Sequence, residues 1–271
     1  MNRKSIIYRS IRKIRKIIHT IFRSQDAEKK RRKEALIAGR KYKLKENNFI
    51  FKCDELKPLF YLPFYRTDYI QQCILTEKSY YENDNLVYLC HKWEGGKIGN
   101  VIANKCVLDI GANIGNHTMF FFFECGIKKA YCFEPIRSTF NILSQNISLN
   151  GLSNNVVLKN TAVGAENGTA SIAHYDETNI GSTQIVLEKN GKIPVVSIDS
   201  LGIKDDIKLI KIDVEGFEVF VLNGCLQTIV KHKPYIMVEI QEANFRAIEL
   251  LLSPYGYRHI HLDKFNYLFF I

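Results

Sequence analysis

The stretch Cys106-Val-Leu-Asp-Ile-Gly-Ala-Asn-Ile-Gly-Asn-His-Thr118 decides the fold. Its first five residues are apolar apart from Asp109 and end at Gly111, the pattern of a strand buried on both faces of a parallel sheet. Gly111 and Gly115 bracket a tight turn, and the run Met119 to Phe123 then starts a helix. Strand, glycine turn and helix open a nucleotide-binding α/β unit, in which backbone N–H groups at the helix N-terminus face the ligand.

The glycine spacing narrows the ligand. A dinucleotide fold uses G-x-G-x-x-G, whereas Gly111-Ala112-Asn113-Ile114-Gly115 is G-x-x-x-G with Asp109 two residues ahead. A carboxylate there repels a pyrophosphate but accepts a ligand with an amino group or a sulfonium, which points to S-adenosylmethionine. The next strand, from Lys128, ends at Glu134-Pro135, and Glu134 lies 23 residues after Gly111. An acid about 20 residues on, at the end of the second strand, is placed to accept both hydroxyls of a ribose.

A second motif lies across the predicted sheet. Ile207 to Ile212 reads as a buried strand with Asp213 and Glu215 at its C-terminal end, and Gly216 opens a helix carrying Val219, Phe220 and Leu222. Pro234 to Ile240 gives a further strand that sets Glu239 on the same rim. In open parallel sheets ligands sit outside the carboxyl ends of the strands. These acids therefore flank the expected reacting centre. Asp213, Glu215, Glu239 and His117 are the candidates for the base that takes a proton from an acceptor hydroxyl, with Asp213 better suited to the cofactor amino group. The three acids could also hold a hard cation, but the pattern does not require one, and no metal is assigned.

Between the motifs, Ile136 to Asn150 reads as a helix and Asn155 to Asn160 as the third strand. Thr161 to Gly164, with Ala162, is where apolar walls and backbone groups hold an adenine ring. Glu166 to Lys192 reads as a β-rich excursion on the ligand side. After the helix Ala243 to Leu252, His259 to Leu262 and Tyr267 to Phe270 close the sheet as an antiparallel hairpin.

Composition bounds the rest. With 271 residues, 46% hydrophobic and 12% aromatic, the chain holds one large α/β domain and an appendage. Seven cysteines without a C-x-x-C pair read as free thiols in a reducing compartment. The net charge of +10 belongs to one end: residues 1–43 carry 16 Lys and Arg against three Asp and Glu, and the remainder 22 against 25. Residues 5–23 show a helical period, with Ile7, Ile11, Ile14, Ile18, Ile21 and Phe22 on one face and basic residues on the other. That segment reads either as a peripheral contact with an anionic membrane surface or as a helix that is solvated or packs on the body or a partner. Nucleic acid is a third reading. The expected organisation is a basic amphipathic helical extension over 1–47, a helical lead-in over 48–98 and the ligand-binding domain over 99–271. The expected location is cytoplasmic, peripheral at the inner membrane face if the helix binds lipid.

Val107 to Gly115, Cys132-Phe-Glu-Pro135, Ala162-Val-Gly164, Lys211-Ile-Asp-Val-Glu-Gly216 and Val221-Leu-Asn-Gly224 together resemble the FkbM family of S-adenosylmethionine-dependent methyltransferases. The resemblance runs from about Asp68 to Ile240. It implies a class I methyltransferase (Rossmann-like) fold, a mostly parallel seven-stranded sheet with a reversed final strand and helices on both faces. It also implies methylation of hydroxyl oxygens, in bacteria often in polysaccharide or secondary-metabolite pathways. By that likeness Asp109, Gly111, Ala112, Asn113 and Gly115 hold the amino-acid part of S-adenosylmethionine, Glu134 and Pro135 the ribose side, and Asp213 the region of the methyl group. A sugar hydroxyl in a surface polysaccharide or glycolipid is the expected acceptor. The alternatives are an RNA or other nucleic-acid methyltransferase, disfavoured by the near-neutral body and by the lack of an Asn/Asp-Pro-Pro-aromatic motif, and a non-catalytic cofactor-binding scaffold.

Overall fold

The computed structural model describes residues 49–176 and 179–271. The amphipathic helix expected over residues 5–23, and the whole 1–47 extension, lie outside the described residues.

The segment expected as a helical lead-in opens with a short antiparallel hairpin, β1 (Ile50–Phe51) and β2 (Phe60–Tyr61), with Pro58, which disfavours a regular helix, between the two strands. Helix α1 (Tyr69–Glu77) follows, capped by Asp68, whose carboxylate accepts the Gln71 N–H at 3.0 Å. Helix α2 (Asn83–Val87) runs into a single π turn, Tyr88–Lys92, closed by Trp93 N–H on the Tyr88 carbonyl at 2.7 Å. Helix α3 (Ile98–Ile102) completes the lead-in.

The main body alternates strand and helix: β3 (Cys106–Ile110), α4 (Asn116–Cys125), β4 (Lys129–Phe133), α5 (Arg137–Leu149) and β5 (Val156–Lys159). Then come β6 (Ala162–Val163), β7 (Gly168–His174), β8 (Gln184–Leu187) and β9 (Ile193–Val196), followed by β10 (Ile207–Ile212), α6 (Glu218–Asn223) and α7 (Leu226–His232). The chain ends with β11 (Tyr235–Glu239), α8 (Glu242–Leu252), β12 (Arg258–His261) and β13 (Asn266–Phe270).

Seven of these strands form one sheet in the order β12-β13-β11-β10-β3-β4-β5. All neighbours are parallel except β13, which runs antiparallel to both β11 and β12. This is the reversed strand the sequence reading expects, and the fold is of the class I methyltransferase type. Chain order runs outward from β3 to β5 on one side and from β10 to β11 on the other, so the topological switch point lies between β3 and β10. The excursion forms a separate four-stranded sheet, β6-β9-β7-β8.

Every residue of β3 is buried, and its alternate side chains feed two cores. Val107 packs with Met119, Phe120 and Leu143 of α4 and α5. Leu108 and Ile110 pack with Val221, Leu222, Ile248 and Leu252 of α6 and α8. Each such fully buried side chain contributes about 1.5–3 kcal/mol.

The lead-in is pinned to this body by asparagines that act as surrogate peptide groups. Asn146 accepts the Tyr61 N–H at 2.6 Å and donates to the Ile114 carbonyl at 2.9 Å. One turn on, Asn150 accepts from Leu59 N–H and donates to its carbonyl, each at 2.8 Å. Asn116, at the start of α4, does the same to Tyr81, at 2.8 and 2.9 Å.

Candidate active site

The turn after β3 is built on glycine because other residues do not fit. Gly111 has φ +75°, and a Cβ there would lie 1.8 Å from the Asp213 carbonyl oxygen. The two strand ends on either side of the switch point therefore approach backbone to backbone. Gly115, at φ +92°, begins α4, so that helix starts three residues before the Met119 at which its apolar run begins.

Around this turn a cleft of roughly 590 Å³, including the part open to solvent, is lined by Gly111, Asn113, Glu134, Pro135, Ala162, Asp213 and Glu215 of the residues singled out from sequence. Phe133, Ile136, Val163 and Phe217 add apolar wall, and the turn Ile180-Gly181 with Thr183 closes it from the excursion.

Glu134 is buried at the end of β4. One oxygen accepts the Asn113 N–H at 3.0 Å and the other the Ile136 N–H at 2.8 Å. Burial pushes its carboxyl up to about 7 despite those two donors. Each oxygen keeps lone pairs for the cleft.

Asp109 is placed differently from the expectation. It is completely buried and does not line the cleft. One of its oxygens accepts the Thr118 hydroxyl at 2.5 Å, and the other lies 3.4 Å from the Lys211 ammonium. The complete burial of Asp109 leaves a cofactor amino group no access to it. Ala112 is likewise buried beneath the turn.

Asp213, Glu215 and Glu239 gather at the rim. Glu215 adopts the left-handed region, φ +54°, a strained conformation for a non-glycine residue. Its loop is held by Glu218, which accepts the Gly216 N–H at 2.6 Å and the Asn244 amide at 2.9 Å. Burial, reinforced by the charges of Asp213 and Glu218, raises the Glu215 carboxyl to about 7. The Glu239 carboxyl is raised by burial and by Asp213, Glu82 and Glu215. Among the described residues, no three His, Cys, Asp or Glu side chains converge in a metal-binding group.

His117 does not line the cleft. It is buried, with Nε2 3.3 Å from the Glu82 carboxylate. Burial alone would raise the Glu82 carboxyl, but His117, Asn266 and Lys211 together hold it low. Glu82 also sits at φ +57°. Asn116 and His117 of α4 thus grip the backbone of Tyr81 and the side chain of Glu82, and Tyr81 feels the charges of Glu82, Glu239 and Asp213. Beyond them opens a second pocket, lined by Tyr69, Asn83, Asp84, Asn85 and Asp263 besides Tyr81 and Glu82, with no Lys or Arg among the described residues of its wall.

The sequence reading singled out none of Glu82, Tyr81 and Lys211; the Ile180-Gly181 turn lies in the excursion that it placed on the ligand side. For Lys211 a signal existed: it is a charged residue inside an apolar strand, and its partner in the β3 register is Asp109.

A family model, the methyltransferase FkbM domain, matches residues 109–259. The methyltransferase sdnD of Sordaria araneosa is 24% identical over 162 residues, 47% of this chain and 62% of that protein. Methyltransferase FkbM from Methylobacillus flagellatus KT aligns at 20% identity with a TM-score of 0.46, covering 62% of this chain and 44% of that one. An rRNA methylase from Streptococcus thermophilus aligns at 13% identity with a TM-score of 0.40, covering 64% and 89%. The chain spans less than two thirds of the length of the curated relative. The family match covers more than half of the chain, and this protein belongs to the FkbM methyltransferase family.

Proposed function

We propose that the protein is an S-adenosylmethionine-dependent O-methyltransferase whose acceptor is a sugar hydroxyl of a surface polysaccharide or glycolipid. The observation that carries the cofactor reading is the cleft at the switch point, with buried Glu134 on one wall and Asp213 on the other. Its parts suit the three parts of that ligand. Phe133, Ile136, Val163 and Phe217 offer apolar faces for the adenine, Glu134 offers acceptors for the ribose hydroxyls, and Asp213 offers an anion for the amino group. When bound, the cofactor supplies an electrophilic methyl on sulfur.

The chain's own residues then have two tasks. The first is to hold the acceptor oxygen in line, which by positioning alone supplies much of the acceleration. The second is to remove the hydroxyl proton as the oxygen–methyl bond forms. Glu215 and Glu239 suit the second task, because carboxyls raised towards neutrality are stronger bases than ordinary ones and remain partly ionised at pH 7. His117, turned towards Glu82, suits the positioning of the lead-in.

The sugar reading is supported by the second pocket. Aromatic faces of Tyr69 and Tyr81, the amides of Asn83 and Asn85 and nearby carboxylates suit hydroxyl groups, and the described residues of the wall, which include no Lys or Arg, suit phosphate-rich acceptors poorly. The test has two arms. Calorimetric titration with S-adenosylmethionine is expected to give one site per chain. Surface glycans from cells lacking the gene are expected to lose one methyl group per repeat. Methylated glycans that persist unchanged in the deletion strain would reject the acceptor assignment.

A further inference from the structure

Lys211 is a buried cation that the reaction described above leaves without a role. Only 3% of it is exposed. Its ammonium donates to the Gly111 carbonyl at 2.7 Å and lies 3.3 Å from Asp213 Oδ2 and 3.4 Å from Asp109 Oδ1. The first two are hydrogen bonds, whereas Asp109 Oδ1 meets the ammonium as an ion pair only; the lysine itself does not line the cleft. Two of those partners, the Gly111 carbonyl and Asp213, belong to residues that line the cleft from opposite sides of the switch point.

We propose that Lys211 is a positioning residue: it ties the glycine turn after β3 to Asp213 after β10 and so sets the gap and the charge that receive the amino-acid end of the cofactor. This rests on the cofactor reading above. Asp109 is then the anchor of Lys211, held in turn by Thr118, and contacts no ligand itself.

A stability role alone accounts poorly for this arrangement. Replacing a buried ion pair by apolar residues of similar volume is often neutral or stabilising. Lys211 shares its strand face with Leu209 and pairs in register with Met237 and Asp109, so an apolar pair would pack there. The same ammonium also acts on the carboxyls facing the site from every side: Glu82 ahead of α2, Glu134 on β4, Glu215 after β10 and Glu239 on β11. Cys132, beside Asp109, feels the same ammonium, while Tyr81 and His117 face the carboxylates around it, Tyr81 those of Glu82, Glu239 and Asp213 and His117 that of Glu82.

The test compares wild type, Asp109→Leu/Lys211→Met and Asp109→Asn/Lys211→Gln, the last keeping polar groups should the apolar pair fail to fold. Thermal unfolding establishes folding, and calorimetry with S-adenosylmethionine between pH 6 and 9 gives affinity. The expected result is a folded double variant that binds at least about tenfold more weakly, the equivalent of one lost charge-assisted hydrogen bond. The midpoint of its pH dependence moves upward, because Glu134, Glu215 and Glu239 lose the cation that favours their ionised forms. A folded variant with wild-type affinity and an unmoved midpoint overturns the role of Lys211. Wild type that binds no S-adenosylmethionine overturns the cofactor reading instead, and this inference with it.

Discussion

Substituting Glu134→Gln separates the two demands on that carboxyl. In the ligand-free fold, burial raises it from 4.5 to about 7, so holding it ionised at pH 8 costs on the order of 3 kcal/mol. The folded chain then binds more protons than the unfolded chain between those two values. Stability from this group is therefore greatest below about pH 4.5 and is lost as the pH rises through 7. Glutamine removes that dependence. It also presents an NH2 to one of the two backbone donors, Asn113 or Ile136, and a donor left unpaired in the interior costs about 1–3 kcal/mol. The two effects nearly offset at pH 8, while at pH 5 the variant is the less stable by about 1–3 kcal/mol.

Ligand binding responds the other way. Hydrogen bonds to an ionised group are worth about 1.5–3 kcal/mol each, against about 1 for a neutral amide. Two ribose hydroxyls therefore lose about 1–4 kcal/mol, which is roughly 5- to 1,000-fold in affinity. The gap is widest at pH 8 and narrows at pH 6, where the wild-type carboxyl is largely protonated. Titration with S-adenosylhomocysteine at both pH values, beside denaturant unfolding at pH 5 and 8, measures both effects. Equal affinities of variant and wild type at pH 8 refute the ribose assignment. A wild-type stability that does not fall between pH 5 and 8 relative to the variant refutes the burial argument.

Gly111→Ala forces a Cβ to within 1.8 Å of the Asp213 carbonyl oxygen at φ +75°; the expected outcome is a loss of more than about 3 kcal/mol, read as aggregation or a collapsed melting temperature. Turnover is expected to rise with pH through about 7 as Glu215 ionises, with Glu239 following. Of Glu215→Gln and Glu239→Gln, the variant lacking the base loses about 10²–10⁴-fold in kcat and that ascending limb, and if neither does, proton removal lies elsewhere. Asn116→Ala leaves the Tyr81 backbone groups without their partner; it is expected to cost about 2 kcal/mol and to raise the acceptor KM while leaving S-adenosylhomocysteine affinity unchanged.

The fold was legible because its strands and turns announce themselves locally. Cys106 to Ile110 and Ile207 to Ile212 are apolar runs closed by a glycine or an acid, and a strand covered on both faces needs little else. Helix starts were less legible. In α4 the apolar run begins at Met119, but Asn116 and His117, two polar residues, occupy the first turn because Gly115 in the left-handed region sets where helical geometry begins. The β1–β2 hairpin was invisible for a related reason. Two-residue strands carry no periodicity, and their hydrogen-bonding partners Asn146 and Asn150 lie far along the chain.

The site was legible where a residue's role depends on its own strand end, as with the positions of Glu134, Asp213 and Glu239. It was illegible where the role depends on a partner in another element. Asp109 illustrates the difference. Read within its own motif, a carboxylate two residues before a glycine turn points to a cationic ligand. In the folded sheet it meets a cation of the chain's own, because β3 lies beside β10 and the register sets Asp109 opposite Lys211. One buried charge in each of two apolar strands, Asp109 in β3 and Lys211 in β10, invites pairing, since either one alone would be a costly buried ion. What the sequence could not supply was the parallel register that aligns them. That register is fixed by packing on both faces of the sheet, and it gives Asp109 a cation of the chain's own in place of a ligand's.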